Sequence, residues 1–203
     1  MPRSKDPAVR TLLVERAARM LRDREPLTLR SLVAGTGVST MAVYTHFGGM
    51  EGVSRALRQE GFTRLAARST TTRPSADPVR DLAALAAAYV GNALEHPDLY
   101  RLMFDTSAEL EDLPAADAVL EHVVRAARRA RADDRLDAAT DPRTVAVRTW
   151  IVAHGLASLV AGGPLDRSAL DHGPGLLAAL FTDLGDDPER CRRSVAQGWA
   201  PLG

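Results

Sequence analysis

The sequence predicts an all-α protein with about nine or ten helices. No segment alternates apolar and polar residues for long, and clusters of β-branched residues are short, so strand signals are nearly absent. Apolar residues recur instead at helical spacing along most of the chain. With 203 residues, of which 45% are apolar and 26% charged, the chain has the composition of a soluble globular protein and is long enough to bury a core.

The N-terminal part is predicted to form four helices. The first spans about residues 6–24, because Pro7 stands where a missing N–H does no harm and Glu25, which precedes Pro26, is disfavoured in a helix. Two short helices follow, and a longer fourth helix ends near residue 68.

A polar segment that contains Pro74 separates this part from the rest. Residues 69–75 contain hydroxyl groups, an arginine and a proline but no apolar anchor, which is typical of a hinge. We therefore predict two domains, residues 1–68 and residues 74–203. Helices of the second domain are predicted at about residues 77–95, 98–105, 115–132, 141–162, 175–184 and 187–199.

Charge is divided unevenly along the chain, although the whole chain is neutral. Residues 1–73 carry a net charge of +7 and residues 74–203 carry −7, counting Lys, Arg, Asp and Glu. Such asymmetry indicates that one part contacts a polyanion and the other does not. The single cysteine, Cys191, excludes a disulfide framework and cysteine-based metal sites, and we predict no cofactor and no metal. No secretory signal is visible, so we expect a cytoplasmic protein.

Residues 28–47, TLRSLVAGTGVSTMAVYTHF, have the pattern of a helix-turn-helix. Thr28 and Ser39 are expected to cap the two helices, and Gly37 supplies the positive φ that the turn between them requires. Val43 is expected to pack back onto the first helix, which leaves the second helix free to enter a major groove. An ordinary corner between two helices has the same spacing, but the surrounding basic residues favour DNA binding.

The pattern T-L-x-x-L-V-x-x-x-G-V-S-x-x-x-V-Y-T-H-F resembles the DNA-binding domain of the tetracycline-repressor (TetR) family of bacterial transcription regulators. The similarity covers roughly residues 8–65, and the Y-x-H-F ending is its most specific part. The resemblance implies a recognition helix at about residues 39–46. It implies phosphate contacts from Thr28, Tyr44 and His46 and base contacts from Thr40, Met41 and Ala42.

The recognition helix has neither arginine nor lysine, so it cannot make a bidentate contact to guanine. Arg30, in the preceding helix, is the best placed residue for that contact, and a solvated surface arginine is the alternative. His46 is expected either to contact a phosphate or to cap the C-terminus of its helix. Met50 stands where the family often has lysine, so one phosphate contact is missing or relocated. The predicted DNA-binding set is Thr28, Arg30, Ser39, Thr40, Met41, Ala42, Tyr44, Thr45 and His46.

Two C-terminal segments lack a polar face. Residues 145–162 contain one charged residue, Arg148, and residues 175–184 are apolar on nearly every side. We reject a membrane span, because the first segment contains Arg148 and His154 and has no aromatic belts, and we expect a helix buried all round. A second copy of the chain is the expected cover, in a four-helix bundle that the TetR resemblance also implies. The predicted contact residues are Leu176, Leu177, Leu180, Phe181 and Leu184.

Two motifs resemble a subgroup of TetR regulators whose C-terminal domain has a Trp-His-Gly signature. They are W-I-V-A-H-G-L at residues 150–156 and H-P-D-L-Y-R-L-M-F at residues 96–104. The resemblance implies a ligand-binding regulatory domain without naming the ligand. A pocket for a small apolar effector would have mostly apolar and aromatic walls. The candidates, for each of which core packing is the alternative, are Tyr89, Tyr100, Met103, Phe104, Trp150 and His154.

No catalytic motif is present: the sequence has no HExxH, GxSxG, phosphate-binding glycine loop or GxGxxG. The carboxylate pairs Asp133–Asp134 and Asp186–Asp187 are typical of solvated turns. We therefore predict that the chain is not an enzyme but a homodimeric, ligand-responsive transcriptional regulator. We expect it to be a repressor that binds a palindromic operator in double-stranded DNA. A DNA-binding dimer without an effector is the main alternative, and a helical enzyme is the lesser one.

Overall fold

The computed structural model describes residues 6–71, 73–104 and 113–200, and the regular structure within these ranges is entirely helical. This confirms the predicted all-α class and the predicted number of helices. The ten α-helices are α1 (Pro7–Arg22), α2 (Leu29–Val33), α3 (Thr40–Phe47), α4 (Met50–Thr71), α5 (Pro78–Glu95), α6 (Pro97–Met103), α7 (Leu113–Ala132), α8 (Pro142–Ala161), α9 (Gly173–Asp183) and α10 (Pro188–Trp199). A 3₁₀ helix, Arg167–His172, precedes α9.

The first compact unit contains α1, α2, α3, the part of α4 up to Thr63, and α6. Its core is apolar, and the side chains of Leu13, Leu32, Val43 and Leu57 are fully buried. Each such side chain stabilises the folded state by about 1.5–3 kcal/mol through removal of apolar surface from water. These contacts hold α1, α2 and α3 together as one three-helix domain.

The second compact unit contains α4 from Arg64, α5, and α7 to α10. Helix α5 lies at its centre, since 13 of its 18 residues are buried and it packs against α8 and α10. Much of α5 consists of alanine, whose small side chain allows neighbouring helices to approach closely, and its leucines fill the space between helices. The packing therefore gives α5 little contact with solvent.

The second unit also buries charge, around Arg135. Arg135 donates from Nε and Nη2 to the two carboxylate oxygens of Asp186, at 2.7 and 2.8 Å, and from Nη1 to Asp77 at 2.7 Å. Ser194 Oγ donates to Asp77 at 2.5 Å. Burial acts to raise the pKa of Asp77, but the hydrogen bonds from Ser194, the Arg80 amide and Arg135 hold that pKa below its ordinary value. The prediction of a solvated turn is wrong for Asp186, because Arg135 pairs with it inside the unit.

Helix α4 extends into the segment that the sequence predicts as a hinge. Ser69 is buried in α4 and donates its hydroxyl to the Leu65 carbonyl at 2.9 Å, which lets a hydroxyl residue remain in a helix. The compact units divide α4 itself and place α6 with α1 to α3, whereas the predicted domains 1–68 and 74–203 follow the order of the chain. The functional domains stay a prediction.

One described helix, α8, is long and apolar enough to cross a membrane by length and composition. Core helices of soluble proteins pass the same test, and α8 packs against α5 and α9 within its unit. In the single chain α8 is not buried all round, because Ile151 is 63% exposed and Leu159 is also exposed; its burial by a second copy stays a prediction. One side of α8 therefore remains open to solvent.

Candidate nucleic-acid interface and regulatory sites

Helix α2 begins with a capping box formed by Thr28 and Ser31. Thr28 Oγ1 accepts from the Ser31 amide at 3.2 Å, and Ser31 Oγ accepts from the Thr28 amide at 2.9 Å. The predicted cap at Thr28 is thus confirmed. Sequence reasoning missed Ser31, although its position three residues after Thr28 was an available signal. Arg30 lies in the turn that this box holds, and it is exposed.

The turn between α2 and α3 is built by Thr36, Gly37 and Val38. Gly37 has φ 72°, in the left-handed region, so the predicted need for glycine is confirmed. Thr36 Oγ1 donates to the Val33 carbonyl at 2.7 Å and accepts from the Val38 amide at 3.1 Å. Val38 packs against the core of the first unit, so the turn is held at both ends.

Helix α3 has a buried side and a solvent side. Val43 and Phe47 are buried, whereas Met41 and Tyr44 are 67% and 51% exposed. Ser39 occupies the N-cap position, but its side chain makes no capping hydrogen bond. Ser39 therefore occupies the predicted N-cap position, but the expected capping hydrogen bond from its side chain is absent.

The other predicted DNA-binding residues of α3 differ in exposure. Thr40 and Thr45 are exposed, and Ala42 and His46 are half-buried. Thr45 Oγ1 donates its proton to the Met41 carbonyl at 3.0 Å, so its oxygen is an acceptor toward solvent. The solvent side of α3 thus offers hydroxyl groups, a thioether and a phenol, with no Arg or Lys among them.

Two arginines of α1 support the helix-turn-helix from its inner side, and sequence reasoning missed both. Arg16 Nη2 donates to the Ser31 carbonyl at 3.1 Å, which attaches α2 to α1. The Arg10 guanidinium carbon lies 5.5 Å from the centroid of the Phe47 ring, within cation–π distance. Their only sequence signal was the basic character of residues 1–73. Part of that basic character therefore orients α2 and α3.

The start of α4 lies close to the end of α3. A Cβ on Gly52 would stand 1.7 Å from the Phe47 carbonyl oxygen, so this approach requires glycine. Met50 is half-buried at the position where the TetR resemblance expects lysine. Arg55, the first arginine of α4, pairs with Glu51 at 3.2 Å. Met50 has no charge and Arg55 already pairs with Glu51, so neither residue offers an unpaired cation to a phosphate.

The six candidate effector residues fall into two groups, one in each compact unit. In the first unit Tyr100 and Met103 are buried in α6. The Tyr100 ring lies 5.1 Å from the Phe104 ring, and Phe104 meets Phe62 edge to face at 5.9 Å, measured between centroids. Phe62 was not among the predicted residues. This group is an aromatic cluster of ordinary core type.

The other three candidates, Tyr89, Trp150 and His154, lie together in the second unit. Tyr89 Oη is 2.8 Å from His154 Nδ1, and Ser158 Oγ is 3.3 Å from His154 Nε2. The Trp150 and His154 rings meet edge to face at 6.1 Å. Burial lowers the pKa of His154, since desolvation disfavours the charged imidazolium. Ser158 was missed, although its spacing of four from His154 indicated a shared helix side. A ligand role for all six candidates stays a prediction.

Three of the five residues predicted at the dimer contact are buried within the chain itself. Leu177 and Phe181 are fully buried and Leu184 is nearly so, because α9 packs against both α8 and α10. These three side chains are not available to a second copy, and the predicted contact is corrected accordingly. Leu176 is 49% exposed and Leu180 is half-buried, so they remain candidates.

Helices α8 and α9, which pack against one another, both carry exposed aliphatic side chains. Ile151, Leu159 and Leu176 are the large ones, and we call these three residues the α8–α9 face. Arg148 Nη1 lies 3.7 Å from Asp183 Oδ2 and links the two helices.

Residues 82–186 match the family model described as "Tetracyclin repressor-like, C-terminal domain", which is more than half of the chain. Nothing in that match points specifically to the Trp-His-Gly subgroup, which stays a prediction. No curated protein matches the chain by sequence.

Several solved structures share the fold. A protein of unknown function from Rhodococcus sp. RHA1 is 29% identical, with a TM-score of 0.74 over 87% of this chain and 95% of that chain. RolR in complex with resorcinol is 13% identical, with a TM-score of 0.66 over 94% of each chain. CprB, a TetR family protein from S. coelicolor A3(2), is 21% identical, with a TM-score of 0.57 over 95% of this chain and 96% of that chain.

The family model covers the C-terminal part of the chain, residues 82–186, and the helix-turn-helix in the N-terminal part agrees with the same family. The chain belongs to the tetracycline-repressor-like (TetR) family, whose members are dimeric, DNA-binding transcription regulators and not enzymes.

Proposed function

We propose that the chain is a homodimeric, ligand-responsive repressor that binds a palindromic operator and releases it when a small apolar effector binds. The observation that carries the proposal is α3. Helix α3 is the second helix of a helix-turn-helix. Its residues Val43 and Phe47 are buried in the core of the first unit, and Met41 and Tyr44 on its other side are exposed. A helix held in this way is suited to entering a major groove.

The predicted contacts divide into phosphate and base contacts. Thr28, Tyr44 and His46 are assigned to phosphates, which supply most of the affinity and make it fall with salt. Thr40, Met41 and Ala42 are assigned to base edges. Their apolar groups can contact the methyl group of thymine, and the Thr40 hydroxyl can bond to a donor or an acceptor on a base. Arg30 is assigned to guanine, while Ser39 and Thr45 complete the surface. The exposure of Thr28, Arg30, Thr40 and Tyr44 supports these assignments.

A dimer supplies the second recognition helix. The α8–α9 face is aliphatic, and a second copy related by a two-fold axis would cover it with the same face. Two recognition helices related in this way fit two half-sites of a palindrome, spaced by one helical turn of DNA or a multiple of it. We therefore infer that dimerisation and operator recognition depend on each other.

The effector is assigned to the second unit. RolR has been solved with resorcinol, and another structure of the same fold is described as a gamma-butyrolactone receptor, so both neighbours are associated with small uncharged molecules. Helix α4 belongs to both compact units of this chain. A ligand that favours one position of α4 would shift the population between two spacings of the recognition helices, only one of which fits the operator. We place this action in the cytoplasm.

Selection from random DNA duplexes at moderate salt tests the proposal. The expected result is a palindrome, and Met41→Ala is expected to change the preferred bases at symmetric positions, because Met41 is exposed and its loss leaves the core intact. Thr11→Ala is the matched control, since Thr11 is exposed on α1 and bonds only within its own helix.

Recovery of salt-sensitive binding without any sequence preference would contradict the proposal. A palindrome whose binding no small molecule weakens would instead support a DNA-binding dimer without an effector. Melting-temperature shifts with a panel of small molecules separate these two results, because a ligand that binds the folded state raises the melting temperature.

A further inference from the structure

Helix α8 contains an interior glycine, Gly155, whose surroundings are open. A Cβ at this position would meet no atom of the chain within 4 Å. At Gly52 and Gly198, which are also helical, a Cβ would instead collide with a backbone carbonyl, that of Phe47 or of Arg80. Alanine would fit at position 155 of the single chain and would favour the helix, because glycine loses more backbone freedom on folding. Packing within the chain therefore gives no reason for a glycine here.

Gly155 lies between two aliphatic residues of the α8–α9 face. Ile151 precedes it by four residues and Leu159 follows it by four, so the three residues share one side of α8. Residues spaced by four form the ridges with which packed helices interdigitate. Both aliphatic side chains are exposed, and the missing side chain between them leaves a gap in the ridge. A second helix can approach the α8 backbone closely at this gap.

The charges beside the α8–α9 face compensate one another. Arg148 lies one turn before Ile151 on α8, and Asp183 lies two turns after Leu176 on α9. The Arg148 and Asp183 side chains are 3.7 Å apart. A second copy of the chain brings the same pair of opposite charges, so two such faces meet without net repulsion. This complementarity and the dimeric state of the family favour a second copy as the partner at the gap.

We propose that the α8 helices of two copies cross at Gly155, so that the two glycines face one another across the two-fold axis of the dimer. This inference rests on the proposed function, which assigns the α8–α9 face to a second copy, and it adds the residue at which the copies meet. Two copies of one helix related by a two-fold axis approach most closely at the same residue in each copy. Ile151 and Leu159 of each copy then pack on either side of the crossing.

Cysteine cross-linking of the full chain tests the crossing. Two cysteines form a disulfide only when their Cα atoms lie within about 7 Å of one another, which Gly155→Cys would satisfy at the axis. The native Cys191 is fully buried, and burial raises its pKa to about 11, so its thiol stays unreactive. Under mild oxidation at micromolar protein, Gly155→Cys should form a covalent dimer at least about 10-fold faster than Ala196→Cys, because facing thiols have a high effective concentration. Ala196 is the matched control, since it is exposed on α10.

Gly155→Ala tests the close approach without a cross-link. The added methyl group favours α8 as a helix, but it would stand between the two crossing backbones. We expect the dissociation constant of the dimer, measured by analytical ultracentrifugation, to rise by about 10-fold or more. Gly175→Ala is the control, because a Cβ on this helical glycine also meets nothing within 4 Å, and Gly175 lines a groove between α9 and α10. That variant should dimerise as tightly as the unchanged chain, and circular dichroism should show all variants folded.

Either of two results would overturn the crossing: Gly155→Cys that cross-links no faster than Ala196→Cys, or Gly155→Ala that dimerises as tightly as the unchanged chain. The mass and the operator binding of the unchanged chain are measured alongside. If it is a dimer that binds a palindrome while either result occurs, the crossing lies elsewhere and the proposed function stands. An unchanged chain that stays monomeric at every concentration would refute both the crossing and the proposed homodimer.

Discussion

The solvent side of α3 and the α8–α9 face are both exposed, but their chemistry differs. Helix α3 exposes Met41 and Tyr44 among hydroxyl residues, a mixture that suits base edges, phosphates and water. The α8–α9 face exposes aliphatic groups, Ile151 and Leu176 among them, which cannot bond to phosphates or water. The difference supports the proposal that α3 contacts nucleic acid and that the α8–α9 face contacts a second copy of the chain.

Replacing an aliphatic residue of the α8–α9 face by a carboxylate should give the largest effect. Ile151→Asp would place a buried, unpaired charge near a two-fold axis, where the two copies also repel. We expect a monomer whose operator affinity falls about 10³-fold or more, to the non-specific level. Light scattering gives the mass and a binding titration gives the affinity.

Ala196→Asp is the control for this variant, because it adds the same charge to an exposed position of α10. It should leave both mass and operator affinity unchanged. An Ile151→Asp protein that remains dimeric and binds the operator would show that the pairing surface lies elsewhere.

The two compact units also differ in what they bury. The first has a core of aliphatic and aromatic side chains, whereas the second encloses Arg135 between Asp186 and Asp77. Arg135→Met would leave two carboxylates without their cation, and we expect the free energy of unfolding to fall by about 3–5 kcal/mol. Urea denaturation at one fixed protein concentration measures this, since dimerisation makes stability depend on concentration.

Arg128→Met tests whether charge alone explains such a loss. Arg128 lies on α7, near Arg135 in sequence, and pairs with Glu121 at 3.0 Å, but both side chains are exposed. A change within about 1 kcal/mol is expected there. Equal losses in the two variants would mean that the pairing around Arg135 contributes no more than a surface ion pair.

The same comparison explains how far sequence predicts structure. The capping threonine Thr28 and the turn glycine Gly37 act on backbone groups a few residues away, so their roles followed from local spacing. Leu176 and Leu177 are adjacent and chemically identical, yet one is exposed and the other fully buried. Their difference depends on packing against α8 and α10, which local pattern does not contain. Asp186 was misjudged for the same reason, because its partner Arg135 is distant in sequence.

Within the DNA-binding surface, the base contact assigned to Arg30 should show the next largest effect. Arg30→Ala is expected to relax the preference at one base pair in each half-site, at about 1–3 kcal/mol, and to leave the other positions unchanged. Arg19→Ala removes the same charge from an exposed position of α1, so a purely electrostatic loss would appear in both. Affinities measured across all single-base operator variants distinguish the two, and an unchanged preference in Arg30→Ala would reduce Arg30 to a phosphate or solvent contact.

The smallest effect is expected at Tyr44, which is assigned to a phosphate. Tyr44→Phe removes one hydroxyl from a side chain that is already half in solvent, so the core and the melting temperature should not change. Loss of one hydrogen bond should weaken every operator by about 1 kcal/mol, without any change in base preference. The slope of affinity against salt should also stay the same, because that slope counts cationic groups at the phosphates and tyrosine has no charge. Binding titrations of several operators at two salt concentrations measure all three quantities. A loss of affinity confined to operators with particular bases would instead indicate that Tyr44 contacts base edges, as Met41 is expected to do, and not a phosphate.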